Sequence, residues 1–335
     1  MRKTIALTVL GVFLAFSALQ YAAAHDSAKM REIFEQSPYV VKLWSLGPGG
    51  GGHGTAIITL YNGIRYYLTN AHVIKGTLRV WVSLDGTSNS PMEEVNVVGR
   101  DPNVDLALVT EGSITKNVPA ATMGDSDGLK IGEEVYALGY PFGSRAVTVG
   151  NITALEVSPA PFFILSQAPL NPGSSGGPLF NTRHEMIAMN TAIITGANLA
   201  GFSIPVNLIK RILPRLTSEK LVKHGQLQDI NFADSNALVP FIFEELGLTY
   251  PPSQSGPIIV ATGPSAASNG FLVGDIITKV NNVAITSAKA LRIELFFEHK
   301  PEEEITLTVL RGLKTLDLKT KLIEIKPPSQ KKEED

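Results

Sequence analysis

From Tyr39 onward the apolar and polar positions fall in short runs rich in β-branched and aromatic residues. Examples are YVVKLWSL, GTAIITLY, IRYYLTNAHVI, LRVWVSL and LALVT, separated by the turn-forming stretches YNG, LDGTSNSP and RDPN. The same texture continues through EEVYALGYP, AVTVGNITALEV, FFILSQAPL, MIAMNTAIIT and GFSIPV. A dozen or so short strands over about 170 residues predict an all-β sandwich or a pair of barrels. At 207–225, NLIKRILPRLTSEKLVKHG changes to helical spacing, interrupted by Pro214, and reads as a closing helix. The polar stretch QLQDINFADSN follows as a linker. After it, PIIVATG, GDIITKVNNVAI, ALRIELFFEHK and EITLTVLRGLKTLDLKTKLIEI make a second, strand-dominated unit of about 90 residues with a helix near 287–299. Before the first strand, residues 25–37 are polar and helical up to Pro38, and the last residues, KPPSQKKEED, have the composition of a disordered tail.

The N-terminus adds an address. MRKT is basic, residues 5–19 are apolar over the length of a signal h-region, and Ala22 and Ala24 offer small residues at a cleavage site before His25. The other reading of this run is an uncleaved membrane anchor, and both readings carry the remaining chain across a membrane. Cleavage removes Arg2 and Lys3 and takes the formal charge from −2 to −4, so no bulk basic field attracts nucleic acid. With 44% hydrophobic and 18% charged residues, the chain has the composition of a globular protein rather than a disordered one. No cysteine is present, which excludes disulfides, thiolate metal sites and a cysteine nucleophile. No phosphate loop or helix-borne zinc motif occurs, and neither cofactor nor metal is expected.

The chemistry concentrates in NPGSSGGPL, residues 171–179. A linker or plain turn is one reading of so many glycines. The other is a nucleophile, because a serine hydroxyl needs a base and backbone N–H donors aimed at an oxyanion, and glycines let the chain turn tightly for both. Gly173 stands two positions before Ser175, so the two amides can converge. His72 ends one strand-like run and Asp105 heads another. Either alone is commonly structural, but His72, Asp105 and Ser175 follow the chain order of the chymotrypsin arrangement.

The segments LTNAHVI, DPNVDLALV, GYPFG, NPGSSGGPL and GFSIPVN, in this order, resemble the HtrA (Deg) family of exported serine proteases, over nearly all of residues 38–326. The resemblance implies a mostly β fold: a chymotrypsin-like double β-barrel followed by a small α+β PDZ domain. The corresponding division is a signal peptide at 1–24, an N-terminal segment at 25–37, the protease domain at 38–216, a linker at 217–235, the PDZ domain at 236–326 and a tail at 327–335. It makes Ser175 the nucleophile, His72 the base and Asp105 its orienting carboxylate, with Gly173, Ser174 and Ser175 forming the oxyanion hole. Leu170, Ile193 and Ile194 match positions lining the S1 pocket. With Pro169 where an acidic S1 base would stand, the resemblance implies cleavage after small apolar residues. Such residues are buried in folded proteins, so the substrates are unfolded or damaged polypeptides. In the PDZ unit, Glu245, Leu246, Gly247 and Leu248 of FEELGLTY match the loop that captures C-terminal peptides. The resemblance further implies a homotrimer regulated through its PDZ domain, and the export reading places it in the periplasm, with a secreted or membrane-anchored protein as the alternatives. The alternative is a peptide-binding chaperone or scaffold with minor or conditional proteolysis. One departure concerns His53 in GPGGGGHG: the family commonly has serine there, and this histidine reads as a solvated loop residue rather than a metal contact.

Overall fold

The computed structural model describes residues 27–87, 89–157, 163–193, 201–248 and 254–326. The export segment before residue 27, Ile194 and the tail from 327 lie outside the described residues. The chain divides into two compact units, Met1–Val222 and Lys223–Asp335.

Unit 1 opens with a helix, α1 (27–35), that buries Ile33. Seven strands follow: β1 (Val40–Gly47), β2 (Gly50–Tyr61), β3 (Ile64–Thr69), β4 (Arg79–Ser83), β5 (Met92–Val95), β6 (Val97–Asp101) and β7 (Leu106–Thr110). They form one antiparallel sheet in the order β5-β4-β1-β2-β3-β7-β6. Its two end strands are consecutive in the chain and joined through Asn96, so the sheet curls back on itself. Val41, Leu43, Val80, Val82, Leu106 and Leu108 are fully buried or nearly so, and β1 and β7 are covered on both faces, since Val40, Lys42, Ala107 and Val109 are buried as well. The second barrel is closed. It contains β8 (Glu134–Gly139), β9 (Ala146–Val157), β10 (Phe163–Ser166), β11 (Pro178–Phe180), β12 (Met186–Ile193) and β13 (Gly201–Pro205), in the order β10-β13-β12-β11-β8-β9. Val135, Ala137, Ile152, Ile164, Leu179 and Ile187 fill it. Of the two alternatives the strand pattern allows, a sandwich or a pair of barrels, the closed second sheet and the curled first one correspond to the pair of barrels. The closing helix α2 (Val206–Ser218) runs through Pro214 instead of stopping there. Six buried side chains, Val206 to Leu216, hold the helix where the proline removes one backbone bond.

Unit 2 contains β14 (Gly225–Gln226), β15 (Ile230–Asp234), α3 (Pro240–Glu245), β16 (Pro257–Thr262), α4 (Pro264–Ser268), β17 (Ile276–Val280), β18 (Val283–Ala284), α5 (Ala288–Ile293), β19 (Glu304–Arg311), β20 (Lys314–Lys321) and β21 (Ile323–Glu324). Its main sheet runs β15-β16-β17-β19-β20 over a core that includes Phe271, Ile277, Leu291, Ile305 and Leu307. The polar stretch expected as a linker therefore supplies a strand. Ile230 is buried and Phe232 packs against the core, while the intervening Asn231 is exposed on the outer face of an edge strand.

Candidate active site

His72 starts a single 3-10 turn, His72–Ile74, three residues past the end of β3. Asp105 immediately precedes β7. Antiparallel pairing of Thr69 with Ala107 brings these two strand ends together. The His72 Nδ1–H donates to Asp105 Oδ2 at 2.8 Å, and the His72 backbone N–H donates to Oδ1 at 2.9 Å. This fixes the tautomer and leaves the Nε2 lone pair free to accept a proton. Asp105 sits in the left-handed region, φ +60°, where aspartate is tolerated. Asn70 Nδ2 donates to its carbonyl at 2.9 Å, and the Thr191 hydroxyl donates to its Oδ2.

Ser175 lies in the turn between Leu170 and β11. Ser174 N–H donates to Asn171 O at 2.9 Å, and Gly173 has φ +101°. Proline second and a positive-φ glycine third make a type II turn. A Cβ at Gly173 would stand 2.2 Å from Tyr140 O and 2.7 Å from His53 Nε2, so only glycine fits. The Pro172 carbonyl accepts from Phe142 N–H at 2.9 Å. Because a trans peptide points its N–H opposite its C=O, the Gly173 N–H is turned away from the 140–143 segment. Thr55 braces the turn from β2. Its hydroxyl donates to Gly173 O at 2.7 Å and accepts from Tyr140 N–H at 3.0 Å, and its N–H donates to Ser175 O at 2.8 Å. Within the turn the amides of Ser174 and Gly177 donate to Asn171 O and Ser174 O, the Gly176 amide donates to Asn190 O on β12, and those of Gly173 and Ser175 are not among these donors. The Ser175 hydroxyl donates to Thr191 O at 3.0 Å. Thr191 therefore holds the serine through its carbonyl and the aspartate through its hydroxyl.

Beside Ser175 is a cavity of about 200 Å³ lined by Leu170, Asn171, Pro172, Ser174, Asn190 and Thr191, none of them ionisable. Leu170, expected from the resemblance in a side-chain pocket, lines this cavity. Ile193 is a β12 residue, its backbone paired with Gly201. Thr55, Phe142 and Thr191 escaped the sequence reading, because a backbone amide and two threonines in strand-like runs carry no composition signal. His53 is a correction. It lies on β2, not in a solvated loop, its ring 5.7 Å from that of Trp44 and its Nε2 buried. Burial first, and then the charge of Lys42, hold its imidazole below the ordinary histidine value. Among the described residues no cluster of His, Asp or Glu could hold a metal ion.

In unit 2 the residues expected to receive a peptide carboxylate do something more local. Gly247, φ +66°, ends α3. Gly247 N–H donates to Glu244 O at 2.9 Å and Leu248 N–H to Phe243 O at 2.8 Å, the paired bonds of a Schellman cap, and Leu246 N–H donates to Ile242 O at 3.0 Å. Leu248 and Phe243 share one apolar cluster, as that motif favours. The amides of Leu246 to Leu248 are thus already used.

Residues 54–189 match the trypsin-like peptidase domain family, and residues 245–322 match the PDZ domain family. The chain is 31% identical over 306 residues to the periplasmic serine endoprotease DegP of Escherichia coli K12, covering 86% of this chain and 62% of that protein. It is homologous to the DegP/HtrA serine proteases. A probable DegP-like periplasmic serine endoprotease of Chlamydia trachomatis is 33% identical over 287 residues, covering 81% of this chain and 54% of that protein. The chain thus spans somewhat more than half the length of these curated relatives. Among solved structures, the HtrA-type protease AlgW with a tripeptide superposes with a TM-score of 0.70 at 29% identity, covering 87% of this chain and 95% of that one. The serine endoprotease from Yersinia pestis gives 0.60 at 26% identity over 88% and 98%. The HtrA architecture, a trypsin-like domain before a PDZ domain, accounts for the two units. Among the described residues no helix is long and apolar enough to cross a membrane.

Proposed function

We propose that this chain is an exported serine endopeptidase that cleaves unfolded or damaged polypeptides through a Ser175 acyl-enzyme. The observation that carries this is the His72–Asp105 pair, oriented by two hydrogen bonds and linked through Thr191 to a serine held in a glycine turn of defined type. In this mechanism the hydroxyl leaves Thr191 O by rotation about χ1 and gives its proton to His72 Nε2. Its oxygen attacks the substrate carbonyl, and Asp105 steadies the imidazolium. The tetrahedral oxyanion faces the Gly173 and Ser175 amides, with Ser174 supplying backbone between them. His72 then protonates the leaving amine, and water repeats the sequence to release the acyl half. The uncharged cavity at Leu170 would take a small apolar side chain before the scissile bond, with Ile193 and Ile194 assigned to the same pocket by the family resemblance alone. By kinship with periplasmic DegP the site of action is the periplasm, and the working state a homotrimer whose PDZ domain binds C-terminal peptides. No cofactor enters the reaction.

A second reading, a peptide-binding chaperone with conditional proteolysis, draws on the hydroxyl's bond to Thr191 O rather than to the base. A fluorophosphonate probe and unfolded casein separate the two. The peptidase labels at Ser175, and Ser175→Ala loses at least about 10⁴-fold in kcat/KM. Undiminished casein cleavage by Ser175→Ala would end the proposal.

A further inference from the structure

Unit 1 carries a second concavity, about 460 Å³, on the outer face of the β1-β2-β4 sheet. It is lined by Trp44, Leu46, Trp81, Met92 and His53, with the bare glycines Gly51 and Gly52 along its rim. Strand register puts these residues on one face. Trp44 pairs with His53 on β2 and with Trp81 on β4, and Ser83 pairs with Met92. Lys42, two residues before Trp44, lies 4.0 Å over its ring, and the Arg79 guanidinium lies 4.8 Å from the ring of Trp81. Leu46 and Met92 are about half exposed, at 47% and 53%, so this is an open apolar surface rather than core.

Its position follows from the two-residue period of β2. Thr55, whose side chain braces the oxyanion turn, shares its face with His53 and Gly51. The Thr55 N–H reaches Ser175 O, so the amides and carbonyls of His53 and Gly51 lie on that same strand edge. That edge is open, because β2 pairs with β3 only from Ile57 onward, while residues 50–56 face β1 on their other side. The uncharged cavity at Leu170 lies on the β12 side of Ser175, and this cleft lies on the β2 side, past Gly173 and His53 Nε2.

Resting on the peptidase reading, we propose that this cleft is a specificity subsite for the half of the polypeptide C-terminal to the scissile bond, selecting a large apolar or aromatic side chain. The peptide adds as a strand along the 51–53 edge and turns one side chain onto Trp44 and Trp81. At about 3.4 Å per residue, the span from Thr55 to Gly51 sets that side chain about two to four residues past the cleaved bond. The glycines leave the edge unobstructed, and the two indoles supply area with little rotamer entropy to lose.

The test uses internally quenched peptides with a fixed sequence up to the cleaved bond and either Phe or Gly in turn at the second, third and fourth positions after it. The full-length protein is expected to favour Phe over Gly by about tenfold in kcat/KM at one of these positions. Trp44→Ala and Trp81→Ala should each bring that ratio close to one. Equal cleavage of Phe and Gly peptides by the unmodified protein overturns the subsite, and so does a ratio that survives both substitutions. Failure to cleave any peptide, with no fluorophosphonate labelling, overturns the peptidase reading and the subsite with it. A direct measurement does not depend on the variants folding. Both tryptophans of the chain line the cleft, so a peptide corresponding to the leaving half should shift the intrinsic fluorescence when it carries Phe and not when it carries Gly. No shift, or a shift that follows protein concentration without peptide, refutes the assignment, the latter giving the cleft to a second copy of the chain.

Discussion

Thr191 links the two ends of the proposed relay, its hydroxyl on Asp105 and its carbonyl on Ser175. A hydrogen bond to a charged group is worth about 1.5–3 kcal/mol. Thr191→Val keeps the shape and removes the donor, so kcat should fall about ten- to a hundredfold with KM little changed. A variant with native kcat would show that Asp105 needs no third donor. A second histidine at residue scale concerns stability rather than chemistry. His184 Nε2 lies 2.7 Å from Ser37 Oγ and 3.2 Å from the Tyr39 hydroxyl, tying the start of β1 to the second barrel. Burial first, and then the Lys29 charge, hold its imidazole below the ordinary value, with Glu32 opposing. The folded state therefore takes up this proton at lower pH than the unfolded chain does. The stability due to the neutral ring is present in full above about pH 6.5 and is lost as pH falls through the depressed folded value. His184 has φ +63°, which asparagine also tolerates, so His184→Asn is the suitable variant. Between about pH 7.5 and about pH 5 the Tm of the unmodified chain should drop further than that of His184→Asn, and equal drops would clear His184 of the effect.

At the scale of elements, the turn at 171–174 is where local sequence and long-range packing meet. Pro172 and Gly173 encode a type II turn by themselves. What they do not encode is the anchoring of the Pro172 carbonyl by the Phe142 amide, from a segment thirty residues earlier. Gly173→Ala puts a Cβ against Tyr140 O at a φ that alanine resists, and must rotate the peptide or push the 140–143 segment away. Loss of one oxyanion donor costs about 10²- to 10³-fold in kcat, which steady-state assays on an unfolded substrate would measure. Retention of full kcat would exclude the Gly173 amide from catalysis. The same contrast explains what was legible in the sequence. His72, Asp105 and Ser175 stand in runs whose residue types and order point to one chemistry, and the alternation of the flanking strands places them at strand ends. Thr55 and Phe142 act through backbone atoms or a single hydroxyl, so nothing in their identity marks them. A glycine run suggests a loop at His53, whereas pairing with β1 draws Gly50–Gly54 into a strand. Ile230–Asp234 resembles a linker in sequence because an edge strand needs only alternate apolar residues, too few to stand out.

At the scale of the molecule, the peptidase unit and the PDZ unit are separate compact bodies, and the proposed regulation requires that a peptide bound to one alter the rate of the other. The loop expected to receive the peptide carboxylate, Glu245 to Leu248, spends three of its amides on closing α3. A carboxylate arriving there exchanges neutral carbonyl acceptors for a charged one. Each bond gained is stronger than the bond lost, but the number of bonds hardly changes and the Schellman cap must open. The net gain from the carboxylate is then modest, about 1–2 kcal/mol, rather than the larger gain expected of a preformed cradle. Two peptides of one apolar sequence, one with a free C-terminus and one amidated, should both stimulate casein cleavage. The amidated form is expected to need about tenfold higher concentration, as 1.4 kcal/mol implies. Equal potency would mean that the cap stays closed and that the peptide is recognised elsewhere on unit 2. A difference of a thousandfold or more would mean that these amides are free in the resting protein, contrary to the geometry of α3.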